Sequence, residues 1–214
     1  MDISFKISDT NHVTEPLVEV TRGRDGVVFE EFLLPLAEVL TILNDSAEVQ
    51  FMSTPVLPQS TVKYVKGSST ADVYIEVPKS RWDITYNKQK YSQVGFPRMI
   101  FQYKVSQNRV FIERIYAVKD KKPLTAETEI YMFPFSHVNE TGGVCMGDNR
   151  LPACKKISDL SLYHTFFINS PFSSDWGAKT TKGYKLEDLF NKCKENDFED
   201  ELLIEMNGKT IEDI

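Results

Sequence analysis

The 214-residue sequence predicts an α+β fold: an antiparallel β-meander with flanking helices, preceded by a smaller β-hairpin/helix lobe. Three observations carry that expectation. Short β-prone runs follow one another from Thr61 to Met132 with turn residues between them, the pattern of a meander. Helical spacing appears only after that run, near residues 158–168 and 184–194. A separate strand, turn, strand and helix pattern fills the first 50 residues.

In chain order, Ile3, Phe5 and Ile7 alternate with polar residues as in a half-buried strand over 3–8. Residues 13–20 and 27–32 are β-prone and flank Arg22 to Gly26, where Asp25-Gly26 is a strong hairpin signal. Pro35 suits a first helical turn, and Leu36, Val39, Leu40 and Leu43 give the helix an apolar face ending at Asn44 to Ser46. Residues 50–59, with Pro55 and Pro58, read as a connector. The expected organisation is thus a lobe over 1–50, a main domain over 51–196 and an acidic tail over 197–214. Strands are expected at 61–66, 71–77, 82–86, 98–105, 110–118 and 124–132, with Ser106 to Arg109 as a hairpin turn. Ser158 is the expected cap of a helix running to about Ile168, with Leu160, Tyr163, His164 and Phe167 on one face. In the polar loop 169–183, Phe172 and Trp176 are expected to anchor to the core. Leu186, Leu189, Phe190 and Cys193 are spaced for burial on a second helix, which makes Cys193 structural.

Bulk properties exclude several classes of function. No run of about 18 apolar residues exists, so no membrane span is expected. The N-terminal residues lack a basic stretch followed by an apolar core, which argues against a signal peptide. Three cysteines fit a reducing, cytoplasmic setting without a disulfide framework. A net charge of −6, with only the short Lys119 to Lys122 loop as a basic cluster, argues against nucleic acid as the main ligand.

The chemistry concentrates in Tyr131 to Gly147. An aromatic run, broken at Pro134, leads into a turn of Asn139, Glu140, Thr141, Gly142 and Gly143, then to Val144, Cys145, Met146 and Gly147. Such turn chemistry favours positive φ. A single thiol therefore follows a glycine-rich turn, with His137 eight residues before it. A cysteine in this setting is either a small buried hydrophobe or a nucleophile in an exposed crevice. A phosphate loop is excluded, because Asp148 and Asn149 stand where Lys and Ser or Thr are needed after the Gly142 to Gly147 spacing. Zinc is excluded by the lack of CxxC spacing between Cys145 and Cys154. Neither a cofactor nor a metal is expected.

This stretch resembles ubiquitin-conjugating enzymes, whose His-Pro-Asn motif precedes an apolar residue, a short glycine turn and the catalytic cysteine. Phe135-Ser136-His137-Val138 stands in the place of His-Pro-Asn-apolar, and Gly142 and Cys145 keep the register. The match is closer to one prokaryotic branch, the PRTRC system protein B family of plasmids and other mobile elements. Its pattern resembles Lys122-Pro123, Thr128, Tyr131, Pro134-Phe135, Val138, Gly142, Val144-Cys145, Gly147 and Pro152, with Phe96 to Phe101 similar to a further element. The resemblance implies the ubiquitin-conjugating-enzyme fold, which is itself a meander with packed helices. It implies that Cys145 accepts a ubiquitin-like modifier as a thioester and passes it to an amine. His137, at the family's asparagine, would be the oxyanion donor, and Phe135, Ser136, Gly142, Gly143, Gly147 and Asp148 would form the active-site loop. The implied partners are a ubiquitin-like modifier, a ThiF-like activating enzyme and an isopeptidase-like metalloprotein. Replacement of the asparagine by His137 leaves two rivals open: a non-catalytic adaptor of the same fold, and a thiol hydrolase using Cys145 and His137 as a dyad.

Overall fold

The computed structural model describes residues 2–7, 16–46, 53–121 and 123–214. The chain divides into two compact units, Met1–Ser53 and Thr54–Ile214. The boundary expected near residue 50 lies outside the described residues, as do the start of the second expected strand, the first residues of the connector and Lys122.

In the first unit, β1 (Asp2–Ile7), β2 (Leu17–Arg24) and β3 (Val27–Pro35) form an antiparallel sheet in that order. The β2–β3 reversal is the two-residue turn Asp25-Gly26, with φ of 52° and 82°. Such a turn matches the twist of its strands, and Asp-Gly adopts it readily. Directly paired residues share a face of the sheet. Phe5, Val20 and Phe32 therefore lie together, as do Ile7, Val18 and Leu34. Helix α1 (Leu36–Ser46) lays Leu36 and Val39 over Val18 and Val20. Its 11 residues span only about 16 Å. Leu40 and Leu43, expected on the buried stripe, are exposed, and so are Ile3, Phe5 and Ile7 of β1. The alternation thus forms a strand here without the half-burial expected of it.

In the second unit the elements run β4 (Thr61–Lys66), β5 (Thr70–Val77), β6 (Ser80–Tyr86), β7 (Gln89–Phe96), β8 (Arg98–Ser106), β9 (Arg109–Val118) and β10 (Glu129–Met132). After them come a 3₁₀ turn at Ile157–Leu162, α2 (His164–Ile168), α3 (Leu186–Cys193), a second 3₁₀ turn at Asp200–Leu202 and β11 (Glu205–Thr210). The six-stranded antiparallel sheet has the order β11-β10-β9-β8-β5-β4. Side chains alternate across it: Val73, Ile75, Val77, Met99, Phe101 and Tyr103 enter the main core, while Tyr74 and Ile100 enter a smaller core on the other face. Gln102 pairs with Arg114 but Tyr103 pairs with Ile112, which leaves Glu113 as the extra residue of a β-bulge. The bulge resets the alternation, so Ile112 and Ile115 both reach the main core.

The α+β class and the antiparallel sheet agree with the sequence, and several details differ. Trp82 to Tyr86 is not in the meander. It pairs with β7, which the sequence did not reveal, as a separate hairpin. That hairpin turns at Asn87-Lys88 with φ of 47° and 67°, and Ile84, Tyr91, Val94 and Phe96 seal the core beside α3. The expected helix from Ser158 is split into the 3₁₀ turn and α2, and no side chain caps either piece. Leu160, Tyr163 and Phe167 are buried as their spacing demands. Residues 197–214 are not a solvated tail. Phe198, Leu202 and Leu203 are buried, Asp200 pairs with Lys79 at 2.7 Å, and β11 adds an edge strand beside β10. Trp176 does not anchor its loop, since it is exposed, whereas Phe172 is buried.

Candidate active site

β10 pairs with β9 only at Ala117 and Tyr116, and the chain then leaves the sheet. It returns to the same edge of β9 nine residues later than the register would place it, with Gly143 opposite Arg114. Two hydrogen bonds fix the return: Ile115 N–H donates to the Gly142 carbonyl at 2.9 Å, and Val144 N–H donates to the carbonyl of the bulged Glu113 at 3.2 Å. The excursion is closed at its neck, where Val138 bridges Val144 and Cys145 N–H donates to the His137 carbonyl at 2.9 Å. His137 and Cys145 are thus joined through their backbones at the neck of a small hairpin, while the His137 ring lies against Phe172 and Ser173.

Asn139 shapes the tip. Its side-chain oxygen accepts from Thr141 N–H at 3.0 Å, Thr141 Oγ1 at 2.8 Å and Gly143 N–H at 2.8 Å. Gly142 sits at φ 87°, and a β-carbon there would meet Tyr116 Cε1 at 3.0 Å and the Ile115 carbonyl oxygen at 3.2 Å. Glycine is therefore required both by the left-handed backbone and by the close approach to β9.

Cys145 is exposed, whereas Cys154 and Cys193 are buried. Burial pushes the Cys193 thiol up to about 11 and raises that of Cys154. Val144 and Met146, on either side of Cys145 in sequence, line a groove of about 720 Å³ together with Phe111, Arg109, Arg150 and Leu151. Gly147 lines the same groove, and Asp148 is exposed beside it in sequence.

His137 is partly buried and sits at φ 65°, a left-handed backbone uncommon outside glycine. Its ring lies 5.6 Å from that of Phe172, edge to face. Nε2 accepts the Ser173 N–H at 2.9 Å. A neutral imidazole that accepts at Nε2 carries its proton on Nδ1. The ring is thus left with a donor and without a spare lone pair.

Phe135 and Ser136 lie beneath the loop and not on its surface. Phe135 is fully buried, packed on Phe96 at 4.4 Å and stacked on Phe190 at 5.1 Å. The Ser136 hydroxyl is buried and has no hydrogen-bond partner among the described residues.

The segment 173–179, which reads in the sequence only as a polar loop, grips this stretch. Lys179 N–H donates to the Pro134 carbonyl at 2.9 Å, and His137 N–H donates to the Asp175 carbonyl at 3.4 Å. Lys179 is 8% exposed, and its ammonium lies 3.4 Å from the Phe135 carbonyl oxygen and 3.5 Å from that of Gly177. Burial lowers its pKa to about 8, against a smaller opposing effect of Glu140. Asn139, Glu140, Thr141, Trp176 and Lys179 line a second cavity of about 310 Å³. A lysine in a polar loop reads as solvated until the fold turns it inward.

No helix among the described residues is long and apolar enough to cross a membrane. No curated protein and no solved structure matches the chain. Residues 35–206 match prokaryotic E2 family D, beginning at the end of β3 and reaching into β11. The exposed thiol, the glycine-shaped hairpin and the antiparallel sheet that carries them, apart from the last four residues of β11, fall inside that match, and the chain belongs to prokaryotic E2 family D.

Proposed function

We propose that this E2-like protein accepts the C-terminal carbonyl of a ubiquitin-like modifier on Cys145 and passes it to an amine. The observation that carries the reading is the position of Cys145: the one exposed thiol among three, held at the neck of a hairpin fixed to the bulge of β9. In the first step the Cys145 thiolate attacks the thioester carbonyl on an activating enzyme. A new C–S bond forms as the activating enzyme's thiolate leaves. In the second step an amine attacks, the C–N bond forms, the Cys145 thiolate departs and the amine gives up a proton to solvent. Thiolate is a good leaving group, so positioning and oxyanion stabilisation suffice. His137 supplies the oxyanion donor through Nδ1–H. The groove lined by Val144 and Met146, the sequence neighbours of Cys145, but not by Cys145 itself, is apolar along Phe111, Met146 and Leu151 with Arg109 and Arg150 present, and we read it as a seat for an extended peptide tail.

The proposed partners are those the resemblance implies: a ubiquitin-like modifier, a ThiF-like activating enzyme and an isopeptidase-like metalloprotein, encoded with this chain on a mobile element as in the PRTRC system protein B branch and acting in the cytoplasm. The hydrolase reading is weakened by the Ser173 N–H on Nε2, which occupies the lone pair a general base would need. The adaptor reading keeps one supporting observation, the left-handed His137 in place of the expected asparagine.

The test is to incubate the chain with the activating enzyme and modifier of its own gene cluster and ATP, then run a non-reducing gel. A reductant-labile adduct that Cys145→Ala abolishes is expected. Partner binding without an adduct, unchanged in Cys145→Ala, would instead establish the adaptor.

A further inference from the structure

The peptide from Pro134 to His137 has no regular secondary structure, yet it must hold a left-handed histidine at one setting beside Cys145. Four hydrogen bonds from the segment 173–179 do this. Three use backbone N–H groups: Lys179 to Pro134, His137 to Asp175, and Ser173 to the imidazole. The fourth is the buried Lys179 ammonium, which spans the Phe135 and Gly177 carbonyls and so ties the two segments together one residue above Ser136. A cation aimed at two carbonyl dipoles in a poorly solvated site is attracted more strongly than a neutral donor would be.

We propose that Lys179 is a positioning residue: its ammonium clamps Phe135 to Gly177 and thereby keeps the His137 imidazole turned toward the acyl group on Cys145. This inference rests on the thioester reading of Cys145. The clamp also makes the site sensitive to pH. Desolvation brings the lysine's pKa down to about 8, and Glu140, from the neighbouring loop, acts in the opposite direction. The 310 Å³ cavity beside Trp176 gives solvent protons a route to the amine. Below pH 8 the clamp is charged and closed; above it the neutral amine holds the two carbonyls weakly.

The experiment compares wild type with Lys179→Met, which keeps the length of the side chain, and Lys179→Arg, which keeps a charge at all working pH values. Loading of Cys145 is expected to be unchanged in both, while single-turnover discharge to an amine falls roughly tenfold in Lys179→Met and recovers in Lys179→Arg. Corrected for the free-amine fraction, the wild-type rate should decline through about pH 8, and the Lys179→Arg rate should not. Equal rates in Lys179→Met and wild type, or profiles of the same shape in wild type and Lys179→Arg, would overturn the proposal. Should Lys179→Met fail to fold, the two pH profiles decide. A separate readout covers failure of the thioester reading itself. The ¹⁵N shifts of His137 should report an unprotonated Nε2 in wild type, as its bond from Ser173 N–H requires, and should move toward a tautomer mixture in the folded methionine variant, or in wild type taken above pH 8. Unchanged shifts in both cases would refute the clamp even if no modifier is ever loaded.

Discussion

Replacing His137 by alanine tests two jobs, the one its ring performs in the fold and the one proposed for it in the reaction. Nε2 holds the Ser173 N–H, and Nδ1–H is the donor proposed to meet an oxyanion. Loss of the first leaves a partly buried donor without its partner, at a cost of about 1 kcal/mol in stability. For a unit of this size that lowers Tm by roughly 2–4 °C, too little to unfold the chain at 25 °C. Loss of the second removes an oxyanion donor, which typically slows the step about 10²–10³-fold, or roughly 2.7–4 kcal/mol. Thioester formation on Cys145 should persist, since its nucleophile is a thiolate, which attacks the carbonyl more readily than an amine does. His137→Asn is the informative control: asparagine tolerates the left-handed backbone at φ 65° and carries both a donor and an acceptor, so its discharge should stay within about tenfold of wild type. The assay is single-turnover discharge of preformed thioester to hydroxylamine or free lysine, with Tm measured alongside. An alanine variant that loads normally and discharges at the wild-type rate would refute the oxyanion role.

Four further outcomes follow from packing and burial. A β-carbon at Gly95 would come within 2.2 Å of the Asn196 carbonyl oxygen and 2.7 Å of Phe198 N, so Gly95→Ala should destabilise by about 1–3 kcal/mol, read as a lower denaturation midpoint in urea. The Ser136 hydroxyl is buried without a partner, so Ser136→Ala should be neutral or stabilise by up to about 1 kcal/mol; a clear loss would mean that the hydroxyl is satisfied in solution. Iodoacetamide at neutral pH should label Cys145 first, because Cys193 is held at about 11 and Cys154 is raised, both by burial. The same shift has a consequence for stability. Cys193 ionises near 9 when unfolded but keeps its proton when folded, so stability should fall as pH rises from about 9 toward 11, and Cys193→Ala should flatten that part of the curve.

The elements that the sequence made legible are those in which local chemistry and tertiary context agree. β4 begins and ends where its β-prone run does, and Asp25-Gly26 and Gln107-Asn108 turn as two-residue hairpins with positive φ. β7 escaped notice because Gln89, Lys90, Ser92 and Gln93 are exposed while only Tyr91, Val94, Gly95 and Phe96 are buried, so too few apolar positions mark the strand. Gly95 was itself a trace of it, required by the backbone of 196–198 lying against the strand. β11 was hidden by acidic neighbours, since an edge strand needs one paired side only and buries little beyond Met206. In the candidate site, the spacing of His137, Gly142 and Cys145 was readable because a hairpin neck links residues close in sequence. Ser173, Asp175 and Lys179 were not, because they arrive from a loop more than 25 residues further along whose polarity suggested only solvent.

The central claim is that the Cys145 sulfur carries an acyl group from another protein. Intact-mass spectrometry of the chain after incubation with its activating enzyme, modifier and ATP measures this directly. The expected species is heavier by one modifier less one water, maps to Cys145 and is removed by hydroxylamine at neutral pH. An unmodified mass for this chain, in a mixture where the activating enzyme itself carries the modifier as a thioester, would contradict it.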